Sequence, residues 1–198
     1  MTEMANISFS LREQISLKSF VAVGRPYAER ISLALAIRLL STNPREIPYL
    51  LHEIDVLEGF PGISRTKRAE KFRHAPLSPF YHKHFSSPRH VPWNIGTALG
   101  LRKDGNQRLD DIIRQVARDV GECSDIWPTV LADRIGFEGY AHQAGKGLSG
   151  DWLIYAKHEN KNYYLDVATH WEGEAPRAQQ LLQKLRLGCE AEFPFCFQ

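Results

Sequence analysis

Along the first third of the chain, apolar residues return at helical intervals. In YAERISLALAIRLLS (27–41), Ile31, Leu35 and Leu39 share a face with Ala34 and Leu40 beside them, and Pro26 presets the backbone angle of a first helical turn. The segment stops at Ser41-Thr42-Asn43-Pro44. Asn43 and Pro44 then signal a second helix through IPYLLHEIDVLEG, with Pro48 disturbing its second turn. Gly59, Pro61 and Gly62 break the chain, and Ser64 caps a short basic helix over 65–72. Prolines at 76, 79, 88 and 92 next favour a loop or irregular strand across SPFYHKHFSSPRH (78–90).

Between Asn106 and Val120 the pattern sharpens. Leu109, Ile112, Ile113, Val116 and Val120 form one stripe with charges opposite, capped by Asp104 or Asn106 and ended by Gly121. SDIWPTVLADRI adds a short helix from Ser124. Beyond the glycine-rich GYAHQAGKGLSG the period drops to two, and DWLIYAK and NYYLDVATH flank HENK as a hairpin. A last helix, opened by Pro176, runs through RAQQLLQKLRLGCEAE. Helices first, then a small antiparallel sheet closed by a C-terminal helix, define an α+β fold. A single domain over 1–198 is expected, helical to about residue 135 and sheet-containing from about 136 to 198.

The hairpin register follows from collecting apolar residues on one side. With Lys157 opposite Asn162, Trp152, Ile154 and Ala156 share a face with Tyr163, Leu165, Val167 and Thr169, which makes that face core. The other face then carries Tyr155, Lys157, Tyr164, Asp166 and His170 within reach of one another. Such a set can move protons and stabilise charge. The alternative is a solvent face rich in tyrosine for its strand preference, or a face covered by the N-terminal helices with its polar groups satisfied.

Composition narrows the setting. With 43% hydrophobic residues in 198, the chain has enough apolar material for a real core. No stretch approaches the roughly 18 uninterrupted apolar residues of a membrane span. The start MTEMANISFSLREQ shows no basic-then-apolar leader pattern, so a soluble cytoplasmic protein without membrane attachment is expected. The three cysteines, Cys123, Cys189 and Cys196, form no CxxC pair and read as buried or inert thiols in a reducing compartment.

Net charge is only +2, but it is unevenly placed. From Gly59 to Lys103 the bases are Arg65, Lys67, Arg68, Lys71, Arg73, Lys83, Arg89, Arg102 and Lys103, against Glu70 alone. That segment carries about +8 and leaves the remainder near about −6. Four of the eight histidines, His74, His82, His84 and His90, lie in the same window. Such a segment suits a polyanion, or else it is a solvated basic face paired with the acidic remainder.

Two chemistries are open to these residues. His82 and His84 alternate on an extended strand and can share one zinc ion with His74, His90, Asp166 or His170, although the spacing matches neither HExxH nor paired CxxC. The second chemistry needs no metal or other cofactor. RNA transesterification requires a base for the 2′-hydroxyl, an acid for the leaving oxygen and cations for the phosphorane. His170, His158, His82 and His84 supply the proton carriers; Lys157, Arg73 and Lys83 supply charge; Tyr155 and Tyr164 supply stacking or hydrogen bonds. No phosphate-loop motif is present, and GKGLSG (145–150) is only a glycine-rich loop with one lysine.

With Lys157, Tyr164, Asp166 and His170 on a compact C-terminal sheet after N-terminal helices, the chain from about Asn106 onward resembles the small bacterial RNase toxins of the barnase, EndoU, colicin tRNase and RelE-like superfold. The resemblance implies a toxin or phage-defence endoribonuclease, neutralised by a cognate antitoxin or immunity protein whose acidic surface covers 65–90. The basic segment lies earlier than the basic sheet of the ribosome-dependent members, so tRNA or free RNA fits as the substrate. The competing class is a non-enzymatic module that binds nucleic acid or protein through Arg65, Lys67, Arg68, Lys71, Arg73, Lys83 and Arg89, with Tyr155 alongside.

Overall fold

A β-hairpin buried on both faces organises the larger part of the molecule. The computed structural model describes residues 9–41, 44–101, 107–121 and 124–198. Thr42, Asn43, Arg102, Lys103, the caps expected at Asp104 or Asn106, and Cys123 lie outside the described residues. The chain divides into two compact units, one formed by residues 1–62, 69–83 and 151–198 and the other by 63–68 and 84–150.

In the first unit, α1 (Leu11–Val21) begins at a capping box in which Ser10 and Glu13 bond reciprocally. The helix expected from Pro26 starts later. Ala28–Arg30 is a single 3-10 turn, Ile31 makes a parallel bridge to Tyr164, and α2 (Leu33–Ser41) follows, with Leu35 donating its N–H to the Ser32 hydroxyl at 2.9 Å. Pairing Ile31 with the sheet delays the helix by about two turns. The next helix, α3 (Ile47–Leu57), opens just before Pro48, which therefore sits in the first turn, where its missing N–H costs nothing.

The sheet has four strands in the order β1 (Glu70–Lys71), β2 (Tyr81–Phe85), β3 (Asp151–His158) and β4 (Lys161–Ala168). The β3–β4 turn places Glu159 and Asn160 at φ +47° and +60°, the two positive angles of a tight two-residue hairpin turn. Two expectations fail here. Residues 65–72 form no helix, because the Arg65 carbonyl accepts from Leu148 at 2.8 Å and the Lys67 N–H donates back to Leu148 at 3.2 Å, which holds the backbone extended. YHKHF is a regular strand despite the surrounding prolines, which sit outside it.

Both faces of the hairpin are covered. Ile154, Ala156, Leu165 and Ala168 pack with Leu181, Leu185 and Cys189 of α8 (Ala178–Cys189) and with Phe193 and Cys196 beyond it. On the opposite side, Tyr155 is only 1% exposed and Tyr164 not at all. Burial pushes the Cys189 and Cys196 thiols up to about 12 and about 11, which leaves them protonated, as the reading of inert thiols requires.

The second unit is helical. α4 (Val91–Ala98) and α5 (Gln107–Val120) pack with α6 (Trp127–Lys146) around Leu99, Ile112 and Val116. The stripe expected on α5 is the buried one. α6 runs 20 residues and absorbs most of the glycine-rich stretch read as a loop. Gly136 and Gly145 stand inside the helix with open space beside them, and the helix ends only at Gly147, where φ reaches +95°. Among the described residues, no helix is long and apolar enough to cross a membrane.

Polar groups buried by the hairpin are satisfied by ion pairs. Glu58 accepts from both Arg30 guanidinium nitrogens, from the Tyr164 hydroxyl at 2.5 Å and from Asn162 at 3.3 Å. Burial opposes ionisation of Glu58 most strongly, yet these donors together hold its carboxyl below the ordinary value. Tyr164→Phe is therefore expected to cost about 1.5–3 kcal/mol of unfolding free energy, the range for a hydrogen bond to a charged group. A lowered carboxylate contributes stability above its unfolded value of 4.5 and loses it as the pH falls through its lower folded value. Urea titrations between about pH 7 and pH 3 should thus show a steeper acid loss for the natural chain than for Glu58→Gln.

Candidate nucleic-acid interface

The register at the turn end of the hairpin is the expected one, with Lys157 opposite Asn162 and Tyr155 opposite Tyr164. Between Ile154 and Tyr155 the pairing shifts, so that Ile154 meets Asp166 and Trp152 meets Ala168 instead of Val167. One extra residue in β4 reverses the alternation beyond it. The consequence reaches the expected catalytic set. His170, which opens the short helix α7 (His170–Gly173), packs on Trp152 with ring centroids 4.6 Å apart, whereas Lys157 lies on the alternate face of β3 with Tyr155.

The other members separate as well. The Tyr164 hydroxyl is committed to Glu58 inside the core, and burial together with that carboxylate raises its pKa far above the phenol range. Asp166 is buried and holds Arg38 at 2.5 and 3.1 Å and Lys184 at 3.5 Å. His82 packs on Trp152 at 4.8 Å and on Phe72 at 4.6 Å, so His82 and His170 meet the same indole. His84 belongs to the second unit, buried, with Nδ1 3.2 Å from the Gly150 carbonyl. Gathering Tyr155, Lys157, Tyr164, Asp166 and His170 on one exposed face is thus corrected: the bulge and the covering helices divide them. Among the described residues, no group of three or more His, Cys, Asp or Glu side chains is arranged to hold one metal ion, and His82 and His84 fall in different units.

The cations expected to meet a polyanion divide by burial. Arg65, Lys67, Arg68 and Arg89 are exposed on the second unit, and Lys71 and Arg73 are exposed on the first. Arg73 lies 3.9 Å from Glu70 at the surface. Lys83 is buried against Glu53 at 3.0 Å, and burial, partly offset by that carboxylate, pulls its pKa down. It is a structural cation. Tyr155 is likewise buried, and burial with the neighbouring Tyr81 pushes its phenol up to about 12.

What the sequence reading missed is Tyr81. Its ring stacks on Tyr155 at 5.4 Å; Tyr155 lies 6.0 Å from Tyr164, and Tyr164 lies 5.9 Å from Tyr27. These four rings form a ladder from the core outward, and Tyr81 is its half-buried outer rung. β1–β2 pairing sets Lys71 directly opposite Tyr81, with Nζ 6.0 Å from the ring centroid, while Lys157 from β3 reaches the same ring at 4.8 Å. Among the described residues, no carboxylate lies in ion-pair range of either ammonium group. The available signal was the strict period of two in YHKHF, which puts Tyr81 and Lys83 on one face and His82 and His84 on the other.

Trp152 joins the two histidines because Gly173 lets the α7 backbone lie on its ring. A Cβ at Gly173 would stand 2.0 Å from Trp152 Cζ3, against nothing within 4 Å at Gly136. Gly173→Ala should therefore cost about 1–3 kcal/mol and perturb tryptophan fluorescence, whereas Gly136→Ala should be neutral or stabilising by up to about 1 kcal/mol, both read by urea unfolding. Comparison of the chain with known protein families, with curated protein sequences and with solved structures gave no match in any of the three.

Proposed function

We propose that the protein binds single-stranded RNA, with the Lys71–Tyr81–Lys157 cluster as a phosphate grip. The observation that carries this reading is the convergence of two ammonium groups, from different strands, on one tyrosine ring, with no carboxylate partner among the described residues. Two cations gathered on one ring suit an anion that neutralises both, and phosphates repeat along an RNA strand. Tyr81 keeps both lysine stems ordered over its ring, which lowers the entropy lost on binding. The exposed Arg73 on the same unit extends the cationic surface.

Counterion release gives a quantitative test. For single strands the slope of log K against log salt falls by about 0.7 per phosphate neutralised. Fluorescence anisotropy of a labelled single-stranded RNA should show a slope shallower by about 1.4 for the Lys71→Ala, Lys157→Ala double variant than for the natural chain. An unchanged slope would remove the cluster from the interface.

A second reading, metal-independent RNA cleavage of the toxin or phage-defence kind, is favoured by the meeting of His82 and His170 on Trp152. Transesterification uses one imidazole as base and a second as acid. It fits the resemblance to small RNase toxins, and with it a cytoplasmic setting and a neutralising acidic partner. The free thiols of Cys189 and Cys196 accord with a reducing compartment. In this reading, His82→Ala and His170→Ala each abolish cleavage of the labelled RNA while its anisotropy is retained. Cleavage that persists in both variants overturns it, and leaves the binding reading standing on the salt slope alone.

A further inference from the structure

We infer that the groove between α4 and α6 of the second unit binds a fatty carboxylate, its alkyl chain along α6 and its head group on Arg65. The groove has a volume of about 750 Å³ and an apolar floor that includes Val91, Ile95, Phe137 and Tyr140. Arg65 is the one charged residue among those that line it. Its volume lies within the roughly 300–1,000 Å³ of small-molecule sites. Only eight residues line it, whereas a stable protein interface takes about 20–30 residues a side. Size thus decides for a small amphiphile over a partner protein.

The shape follows from the spacing on α6. Gly136, Tyr140 and Ala144 recur every four residues along one face, making a trough on the order of 12 Å long at a rise of about 1.5 Å per residue. Gly136 contributes no side chain and has nothing within 4 Å of its Cβ position, so the trough stays open at its centre. Phe137 is 83% exposed at the edge, an apolar surface that an alkyl chain would cover.

Charge selects the head group. Arg65 is carried on backbone that is paired with Leu148, and among the described residues its guanidinium has no ion-pair partner. The nearby cation Arg134 is already engaged by Asp119 at 2.7 Å and Glu138 at 3.7 Å, and with Asp133 and Glu138 it lines a separate depression on the other side of Phe137. A planar guanidinium above an apolar trough matches a carboxylate through two parallel hydrogen bonds.

Isothermal titration of the full chain with dodecanoate below its micellar range tests the assignment. The expected result is saturable binding of one dodecanoate per chain, weakened about 10- to 100-fold by Arg65→Gln. Gly136→Leu, which fills the trough while improving helix propensity, should abolish it with unchanged circular dichroism. Dodecyltrimethylammonium, with the same tail and the opposite charge, should not bind there. Three results overturn the inference: no saturation, binding indifferent to both variants, or equal binding of the cationic amphiphile. Sedimentation separates the remaining occupant, since a dimer lost in Gly136→Leu without dodecanoate binding would assign the groove to a second copy of the chain.

Discussion

The bond from the Tyr164 hydroxyl to Glu58 answers the main constraint on the larger unit: a hairpin covered on both faces has no water to satisfy its polar groups. Every donor or acceptor that β4 carries inward must find a partner on the surrounding helices. Glu58 at the end of α3, Arg30 in the turn before α2, and Arg38 within α2 are those partners. The same requirement explains the Lys83–Glu53 pair, where removing either member would strand a buried charge. Apolar packing brings the helices to the sheet, and the ion pairs fix where along it they rest.

The tyrosine ladder grows out of that arrangement. Tyr27 and Tyr164 are held by Asp55 and Glu58, and Tyr155 lies between Tyr164 and the surface rung. Tyr81 thus rests on a stack whose inner members are fixed by hydrogen bonds, which gives Lys71 and Lys157 a rigid platform. A surface cluster on a strand with no such backing would spend more of its binding energy on ordering its own side chains.

The sequence made elements with a single strong period readable. The stripe of α5, the turn end of the β3–β4 hairpin and the C-terminal helix stand where their patterns put them. The rest depended on partners distant in the chain. Residues 65–68 gave a helical pattern that pairing with Leu148 overrode, and the proline-flanked YHKHF became a strand because neighbouring strands complete its hydrogen bonds. Of the glycines in α6 only Gly139 is pressed by a neighbour, since a Cβ there would stand 3.0 Å from Ile95 Cγ2, while Gly136 and Gly145 have nothing within 4 Å; the helix forms in spite of the loop signal they carry. For the site, Lys157 and Lys71 were legible as exposed cations, while Tyr81 depended on seeing a strand. Asp166 and Tyr164 follow the alternative of a face covered by the N-terminal helices with its polar groups satisfied, and nothing local in the strand chooses between that and an exposed face.

The shift in pairing at β4 makes the hairpin sensitive to length in a way that substitutions cannot reproduce. A full-length strand that kept the turn-end register throughout, with no extra residue at Leu165, would put Val167 opposite Trp152, turn Ala168 to the other face and carry the following His170 to the face that Lys157 occupies. The chemistry open to this sheet is therefore set by a count of backbone units as much as by the identity of its side chains.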